Sequence, residues 1–304
     1  MRLTDRWYRR ALAALALMLP LAAGATPSDA ASRTAFWRAV VADQHRIPAG
    51  VPIVPLIDEL VGMSASRDPV VRDDLGYEVF ARWIHRGTGF EATHMAAWQA
   101  RLTAQAREGL GTVDPARAPN RAFALLFLKE LVFAGQRVPY LDAAQATSLV
   151  QLVVDSLQQE QDRRGYDREA GWVHALAHAA DLARALGRSA RVDDAQRKRL
   201  IEALAARVDQ ESQAFQWGEE TRIATALASL ASAGAKDALR AWAGRVAARC
   251  EAVWRAAPFE TSTYRAARMA VPVLHALVAL DGARNVRLDA ETLEVIRKAA
   301  LQCQ

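Results

Sequence analysis

The sequence predicts an all-α protein of paired antiparallel helices, arranged as a HEAT-like helical-repeat solenoid or superhelix, with an α/α toroid as the alternative. Apolar residues recur at helical spacing along most of the chain, and no window of strict two-residue alternation is convincing, so strands are not needed. Helix-start and helix-stop residues divide the chain into about twelve helices of about 10 to 20 residues joined by short turns. No clean sequence repeat of fixed length is visible.

The N-terminus is typical of a secretory signal peptide covering residues 1–25. Four arginines precede an apolar run at 11–23, and Ala23-Gly24-Ala25 gives the small-x-small pattern for cleavage before Thr26. The apolar run is too short to span a bilayer. We therefore expect a periplasmic or secreted protein in which residues 26–304 form a single all-helical domain with no membrane span.

The charge balance gives no case for nucleic acid as a partner. The first 25 residues carry four of the 39 basic residues and one of the 34 acidic residues, so the mature chain has a net charge of +2. The excess is small, and no basic cluster interleaved with aromatic residues is present. A small molecule or a protein is the expected partner.

The two cysteines, Cys250 and Cys303, leave two alternatives open. In an oxidising compartment they can form one disulfide, for which a loop of this length predicts a gain of about 4 kcal/mol. Otherwise they remain two buried thiols.

Local signals place the helices in order along the chain. Asp68-Pro69 is a strong helix start, because Asp caps and Pro suits the first helical position. The helix at 120–133 is apolar almost all round, so we expect it to be central. Pro272 should kink or divide the penultimate helix. A further helix follows Asp167, and the others are predicted at 36–45, 56–63, 68–85, 92–108, 142–161, 193–210, 219–232, 236–256, 262–280 and 290–301.

The segment 160–181, reading EQDRRGYDREAGWVHALAHAAD, holds the greatest concentration of chemically varied side chains. With Asp167 as the N-cap, Trp172 begins a stripe that the following helix would bury. His174, His178 and Asp181 then form a narrow polar stripe on the side away from the core, because successive residues are rotated by about 100°. The turn before this helix presents further side chains at its entrance: Glu160, Asp162, Arg164, Tyr166 and Asp167.

The two histidines are one helical turn apart and could share a metal ion. The segment is not the zinc-protease motif, because Ala175 stands where the Glu after the first histidine would have to be. Asp181 is better placed to orient His178 than to join a shared ligand set with His174. A third ligand would have to come from another helix.

A second polar segment, Gln216-Trp217-Gly218-Glu219-Glu220-Thr221-Arg222, precedes a helix. Acids in a first turn interact favourably with the helix dipole, so helix initiation alone would explain Glu219 and Glu220. If the fold brings them beside the histidines, either becomes a candidate partner or third ligand. Arg121, at the head of the apolar helix, is a further candidate, and a helix-end charge that reaches solvent is its simpler interpretation.

The motifs Glu160-x-Asp162-x-Arg164-Gly165-Tyr166-Asp167 and Gly171-Trp172-x-His174-x-x-x-His178-x-x-Asp181 together resemble the bacterial family catalogued as domain of unknown function 2785. Asp73, Tyr77, Arg121 and Glu219-Glu220-x-Arg222 are similar to further signature positions of that family. The resemblance extends over most of the mature chain and implies a helical fold with a site in its centre. It brings no established activity with it.

Three interpretations of the central segment stay open: a structural polar network, a metal-free acid/base or ligand pocket, and a metal site. The leading hypothesis is an exported helical scaffold that binds a ligand or protein partner. The alternative is a hydrolase or lyase in which His174 or His178 is the general base and Asp167 or Asp181 orients it. No cofactor is expected, with a divalent metal at the histidines as the alternative. The candidate ligand-binding residues are Glu160, Asp162, Arg164, Tyr166, Trp172, Arg121, Glu219, Glu220 and Arg222.

Overall fold

The fold is described from a computed structural model, which covers residues 30–256, 258–280 and 287–303. It is mostly helical, so the predicted all-α class is confirmed. The helices are α1 Ala30–Ala42, α2 Ile53–Met63, α3 Glu78–Ile84, α4 Ala92–Arg107, α5 Ala118–Ala134, α6 Ala143–Gln159, α7 Ala175–Gly187, α8 Asp194–Gln210, α9 Glu219–Leu230, α10 Lys236–Arg255, α11 Thr261–Arg268, α12 Val271–Leu280 and α13 Ala290–Gln302. Two π-helical segments, Val70–Tyr77 and Ala231–Ala235, lead into α3 and α10.

One prediction about secondary structure was wrong, because the chain contains a small antiparallel β-hairpin. Strands β1 Tyr166–Asp167 and β2 Gly171–Trp172 pair with each other and with no other strand in the described residues. Each strand has only two residues, which is too short to produce the alternating pattern by which a strand is recognised in sequence. The hairpin lies between α6 and α7.

The helix starts follow the capping signals in the sequence. The side chains of Asp142 and Asp193 accept hydrogen bonds from backbone N–H groups three residues ahead, at 2.7 and 2.8 Å. Such caps satisfy donors that have no partner within the helix. The penultimate helix is divided as Pro272 predicted: α11 ends at Arg268 and α12 begins at Val271. Pro272 thus occupies the first turn of α12, where its missing N–H is not needed.

The helices pack in two rows. In one row α3 contacts α5, α5 contacts α7, α7 contacts α9, and α9 contacts α12. In the other row α4, α6, α8 and α10 contact one another in succession, and α10 also packs against α13. The connections from α4 to α5 and from α6 to α7 cross between the rows, and the second of them contains the hairpin. Helix α7 therefore has neighbours on several sides.

The core follows these rows, and α5 is at its centre as predicted. Nearly every side chain of α5 is buried, and Phe127 packs on Phe80 of α3 with ring centroids 4.5 Å apart. Trp37, Trp83 and Trp242 are fully buried in the same hydrophobic cluster. Burial of each large apolar side chain stabilises the fold by roughly 1.5–3 kcal/mol.

Two further sequence expectations concern the chain ends. Cys250 of α10 and Cys303, the residue that follows α13, form a disulfide, which is the first of the two alternatives for these cysteines. The proposed signal peptide, residues 1–25, lies outside the described residues. No helix in the described part of the chain combines the length and apolar character needed to cross a membrane.

Candidate functional site

The β-hairpin is shaped by the side chain of Asp167. Its Oδ1 accepts hydrogen bonds from the backbone N–H groups of Glu169 and Ala170 at 2.9 and 2.7 Å, a turn geometry that Asp favours. These hydrogen bonds, followed by the one from Arg164, lower the pKa of Asp167. Gly171 has φ +69°, which a side chain would disfavour. Asp167 is therefore a turn residue and not the helix cap that its position predicted.

Arg72 anchors the hairpin to the interior. Its side chain is fully buried, lies over the ring of Phe123 at 4.2 Å, and pairs with Asp73 at 2.7 Å. Its Nη2 donates to the carbonyl oxygens of Ala170 and Trp172 at 2.8 and 3.1 Å. The position of the hairpin is thus set by a residue about a hundred positions earlier in the chain, which sequence reasoning did not select.

Trp172 and His174 lie outside helix α7, which begins only at Ala175. Trp172 is in strand β2 and is 41% exposed. The prediction that it begins the buried stripe of the helix was therefore wrong. His174 adopts the left-handed conformation, with φ 48° and ψ 35°, and its N–H donates to the carbonyl of Arg164 at 3.2 Å. The Asp167 turn and the positive φ of Gly171 delay the helix start, because neither fits inside an α-helix.

His178 and Asp181 are buried. The prediction that they lie on the side of the helix away from the core was therefore wrong. His178 is 5% exposed and its Nδ1 lies 3.1 Å from the carbonyl oxygen of Ala122. Burial, then the charge of Arg222, lowers the pKa of His178 well below its ordinary value. Asp181 is 6% exposed and pairs with Arg222, with Nε–Oδ1 2.8 Å. The physical reason is that α5, α6 and α9 all pack on α7 and leave it no fully solvated side.

A cleft of about 80 Å³ lies at the N-terminal end of α7. One wall is the loop before the hairpin and the other is the connection between α8 and α9. Its lining combines polar and apolar surface and comprises Asp162, Arg163, Arg164, His174, Ala175, Leu176, Glu211, Gln213, Ala214, Phe215, Gln216, Trp217 and Glu219. The fold therefore brings together the two polar segments that are separate in sequence.

Three aromatic side chains cluster beside this cleft. Tyr166, Trp172 and Trp217 are 49%, 41% and 45% exposed. The centroid of Trp172 is 5.2 Å from that of Tyr166 and 5.8 Å from that of Trp217, and both pairs are edge-to-face. Trp217 packs directly over Gly165, where an added Cβ would lie 2.1 Å from the indole ring. We call these three residues the aromatic cluster.

His174 is the titratable group that connects the cleft to the aromatic cluster. Its ring lies against Trp172, with centroids 4.5 Å apart. Burial lowers the pKa of His174, an effect that the nearby Glu219 partly opposes, so the imidazole is neutral at neutral pH. Among the described residues, the buried Nε2 atom of His174 has no hydrogen-bond partner. Glu219 accepts a hydrogen bond from the backbone N–H of Trp217 at 2.9 Å.

A second polar cluster on α5 was missed from the sequence. Glu130 accepts hydrogen bonds from Tyr77 and His85, each at 2.6 Å, and Lys129 donates to Tyr77 at 2.9 Å. Burial alone would raise the pKa of Glu130, but the bonds from His85 and Lys129 outweigh it and lower the pKa to about 2. After Arg121 in the first turn, Lys129 and Glu130 are the only charged residues of α5, a signal that could have been noticed.

This cluster is electrostatically continuous with the histidines. Burial raises the pKa of Tyr77, and the charges of Glu130 and Asp181 raise it further whereas Arg222 lowers it. Lys129 in turn contributes to lowering the pKa of His178. Titratable side chains therefore form a band across the neighbouring helices α5, α7 and α9.

Arg121 and Glu160, both candidate ligand-binding residues, lie in the interior. They are 2% and 6% exposed and form a bidentate pair, with Nε–Oε2 2.7 Å and Nη2–Oε1 2.9 Å. Glu160 also accepts the backbone N–H of Asp162 at 2.9 Å. The pair joins the head of α5 to the start of the hairpin loop. Glu220 is half-buried in the first turn of α9, and its Oε2 has no hydrogen-bond partner in the part of the chain described.

The histidines are not part of a recognisable metal-binding set. Their ring centroids are 6.0 Å apart and the rings are nearly perpendicular. Within the described ranges no group of three or more His, Cys, Asp or Glu side chains is placed to hold a metal ion. Asp181, the one acidic residue of α7, forms an ion pair with Arg222.

Comparison with known proteins gives one match. A family model described as "Protein of unknown function (DUF2785)" matches residues 114–271, just over half of the chain. The matched part contains the cleft, the aromatic cluster and helices α5 to α9. Asp73 and Tyr77, which also resemble positions of that family, precede it. No curated protein and no solved structure matches the chain significantly.

Proposed function

The chain belongs to the DUF2785 family of proteins of unknown function, and we propose that it binds a small ligand in the cleft at the start of α7. One observation carries the proposal: the neutral imidazole of His174, the carboxylate of Glu219 and the ring of Trp217 line the cleft together, and the other two rings of the aromatic cluster pack beside them. Exposed aromatic rings and buried polar atoms without partners cost stability in a free protein. Binding sites commonly carry such groups.

Support for a preformed site comes from the contacts that hold these groups in place. Arg72 fixes the hairpin from below, and Gly165 allows Trp217 to pack directly on the backbone. The left-handed backbone of His174 is sparsely populated for a residue other than glycine, and such conformations cluster at functional sites. A site held this way loses little entropy when a ligand binds.

We further infer that the two rows of helices form a solenoid. Contacts between successive members of each row support this architecture. In the described residues, α1 to α3 make no substantial contact with α10 to α13, whereas a closed toroid would require its first and last hairpins to pack together. The cleft would then lie at one edge of the stacked hairpins.

Export is also part of the proposal. The pattern of residues 1–25 predicts cleavage, and the disulfide between Cys250 and Cys303 is a feature of proteins in oxidising compartments. Expression of the full chain in a bacterium, followed by intact mass measurement of the periplasmic protein, should yield a chain beginning at Thr26. Recovery of the uncleaved chain from the cytoplasm alone would contradict export.

The binding proposal is tested by thermal shift and calorimetry with a panel of amines, sugars and short peptides. Ligands of the cleft should raise the melting temperature of the wild type and lose this effect in Trp217→Ala and His174→Asn. Asn is chosen because it tolerates the left-handed conformation. Trp254→Ala is the matched control, since Trp254 is 55% exposed in a separate aromatic group. A ligand that binds equally well to both site variants would place the binding site elsewhere.

A second candidate function is acid/base catalysis by a hydrolase or lyase. The observation that favours it is a neutral histidine near a carboxylate, whose buried Nε2 has no hydrogen-bond partner in the described residues, because such a nitrogen can act as a general base. Turnover of model esters, glycosides or phosphate esters should disappear in His174→Asn while the free energy of unfolding stays within about 1 kcal/mol of wild type. Equal turnover in the variant would exclude His174 as the base.

A further inference from the structure

We propose that the ligand of the cleft is a small organic cation, carrying an amine or quaternary ammonium group. The inference rests on the proposed binding function and adds the chemical class. It follows from the charge balance of the residues that line the cleft and from the aromatic cluster beside the cleft.

The basic residues of the cleft are already neutralised by its other acids. Arg164 pairs with Asp162 at 2.6 Å, and Arg163 with Glu211 at 3.3 Å. Arg164 also donates to Asp167, and Glu211 also accepts from the buried Arg207 of α8, so three arginines here face three carboxylates. These pairs leave the two guanidinium groups little capacity to attract an anionic ligand.

Glu219 is the exception among the lining acids. It is 6% exposed, and in the described residues no Lys or Arg lies within ion-pair distance of it. Its carboxylate accepts a hydrogen bond from the backbone N–H of Trp217, and the neighbouring His174 is neutral. The dipole of α9 offsets part of the negative charge but supplies no counter-ion. The cleft therefore lacks one positive charge.

The aromatic cluster supplies a complementary surface. The face of an aromatic ring is electronegative, and cations bind over it within about 6 Å of the centroid. Tyr166, Trp172 and Trp217 are between 41% and 49% exposed, so the aromatic cluster presents ring surface to solvent. The backbone N–H of Trp217 donates a hydrogen bond to the Glu219 carboxylate, which keeps the carboxylate close to the residue that carries the ring. An anionic ligand would be repelled by Glu219, and a neutral sugar would leave the charge of the Glu219 carboxylate uncompensated.

The test compares choline with 3,3-dimethyl-1-butanol, its uncharged isostere, by calorimetry on the mature chain. Choline should bind about tenfold more tightly than the alcohol, because only choline carries the charge. Glu219→Gln should remove most of this difference while Trp217→Ala abolishes binding of both. Glu294→Gln and Trp254→Ala, at exposed positions elsewhere, should leave both affinities unchanged.

The other outcomes separate the ligand class from the binding function. Equal affinities for choline and the alcohol, or choline binding unaffected by Glu219→Gln, would overturn the cation proposal. Binding of cellobiose that is lost in Trp217→Ala, without binding of choline, would overturn it and leave the cleft as a binding site. If no amine, sugar or peptide binds a folded wild-type chain, both proposals fail.

Discussion

Replacing Arg121 by alanine should destabilise the fold by about 3 to 5 kcal/mol. Arg121 and Glu160 are almost fully buried and joined by two hydrogen bonds of 2.7 and 2.9 Å. Without the guanidinium, the Glu160 carboxylate stays buried with no counter-ion, a change that typically costs 3–5 kcal/mol. Glu160 also holds the backbone of Asp162, so the loss should reach the loop that carries the hairpin.

Urea denaturation followed by tryptophan fluorescence measures this change. Arg117→Ala is the matched control: its ion pair with Glu108 is exposed, at 51% and 64%, and exposed pairs contribute about 0–1 kcal/mol. The double variant Arg121→Met/Glu160→Leu should be more stable than either single variant, because it leaves no buried charge. If Arg121→Ala remained within about 1 kcal/mol of wild type, the pair would not be structural, and a role for Arg121 in ligand binding would regain support.

Three other perturbations follow from the structure. The pKa of Glu130 is lowered to about 2, so its ionised form stabilises the fold above the ordinary carboxyl pKa, and this contribution is lost as the pH falls toward 2. Glu130→Gln should therefore lower the free energy of unfolding by about 3 kcal/mol at neutral pH and by progressively less in acid, as measured by denaturation across pH. Gly165→Ala should displace Trp217 and lower stability by about 1–3 kcal/mol, with an altered near-ultraviolet dichroism spectrum. Gly244→Ala, where a Cβ meets nothing, should instead gain about 0.5–1 kcal/mol, and equal effects of the two would contradict the packing argument. Cys303→Ser should lose about 2–4 kcal/mol relative to the oxidised protein and match the reduced wild type, whereas an unchanged midpoint would argue against the disulfide in solution.

The sequence predicted which segments form the cleft more reliably than it predicted the direction in which their side chains point. Segments 160–181 and 216–222 both contribute to the cleft, and His174 lies in its wall. The helical wheel nevertheless misplaced Trp172, because it assumed a continuous helix after Asp167 where the chain forms a hairpin. The competing signal was local, since Gly171 breaks a helix and Asp167 favours a turn.

The cluster on α5 was missed for a different reason. Lys129 and Glu130 occupy positions that an apolar helix should bury, and they are satisfied there only because Tyr77 and His85 come from elsewhere in the chain. Each of these residues alone is an ordinary polar residue in sequence. Their significance depends on contacts between residues about fifty positions apart.

The sequence by itself determined the helical class and most helix limits, since capping residues, prolines and apolar periodicity act within a few residues of where they stand. Tertiary structure decided which polar groups are buried and which aromatic rings remain exposed. Helix α7 illustrates the difference: periodicity can indicate one buried face, but packing by α5, α6 and α9 enclosed His178 and Asp181 as well. Burial depends on how many neighbours a helix acquires, and that number is a property of the assembled fold.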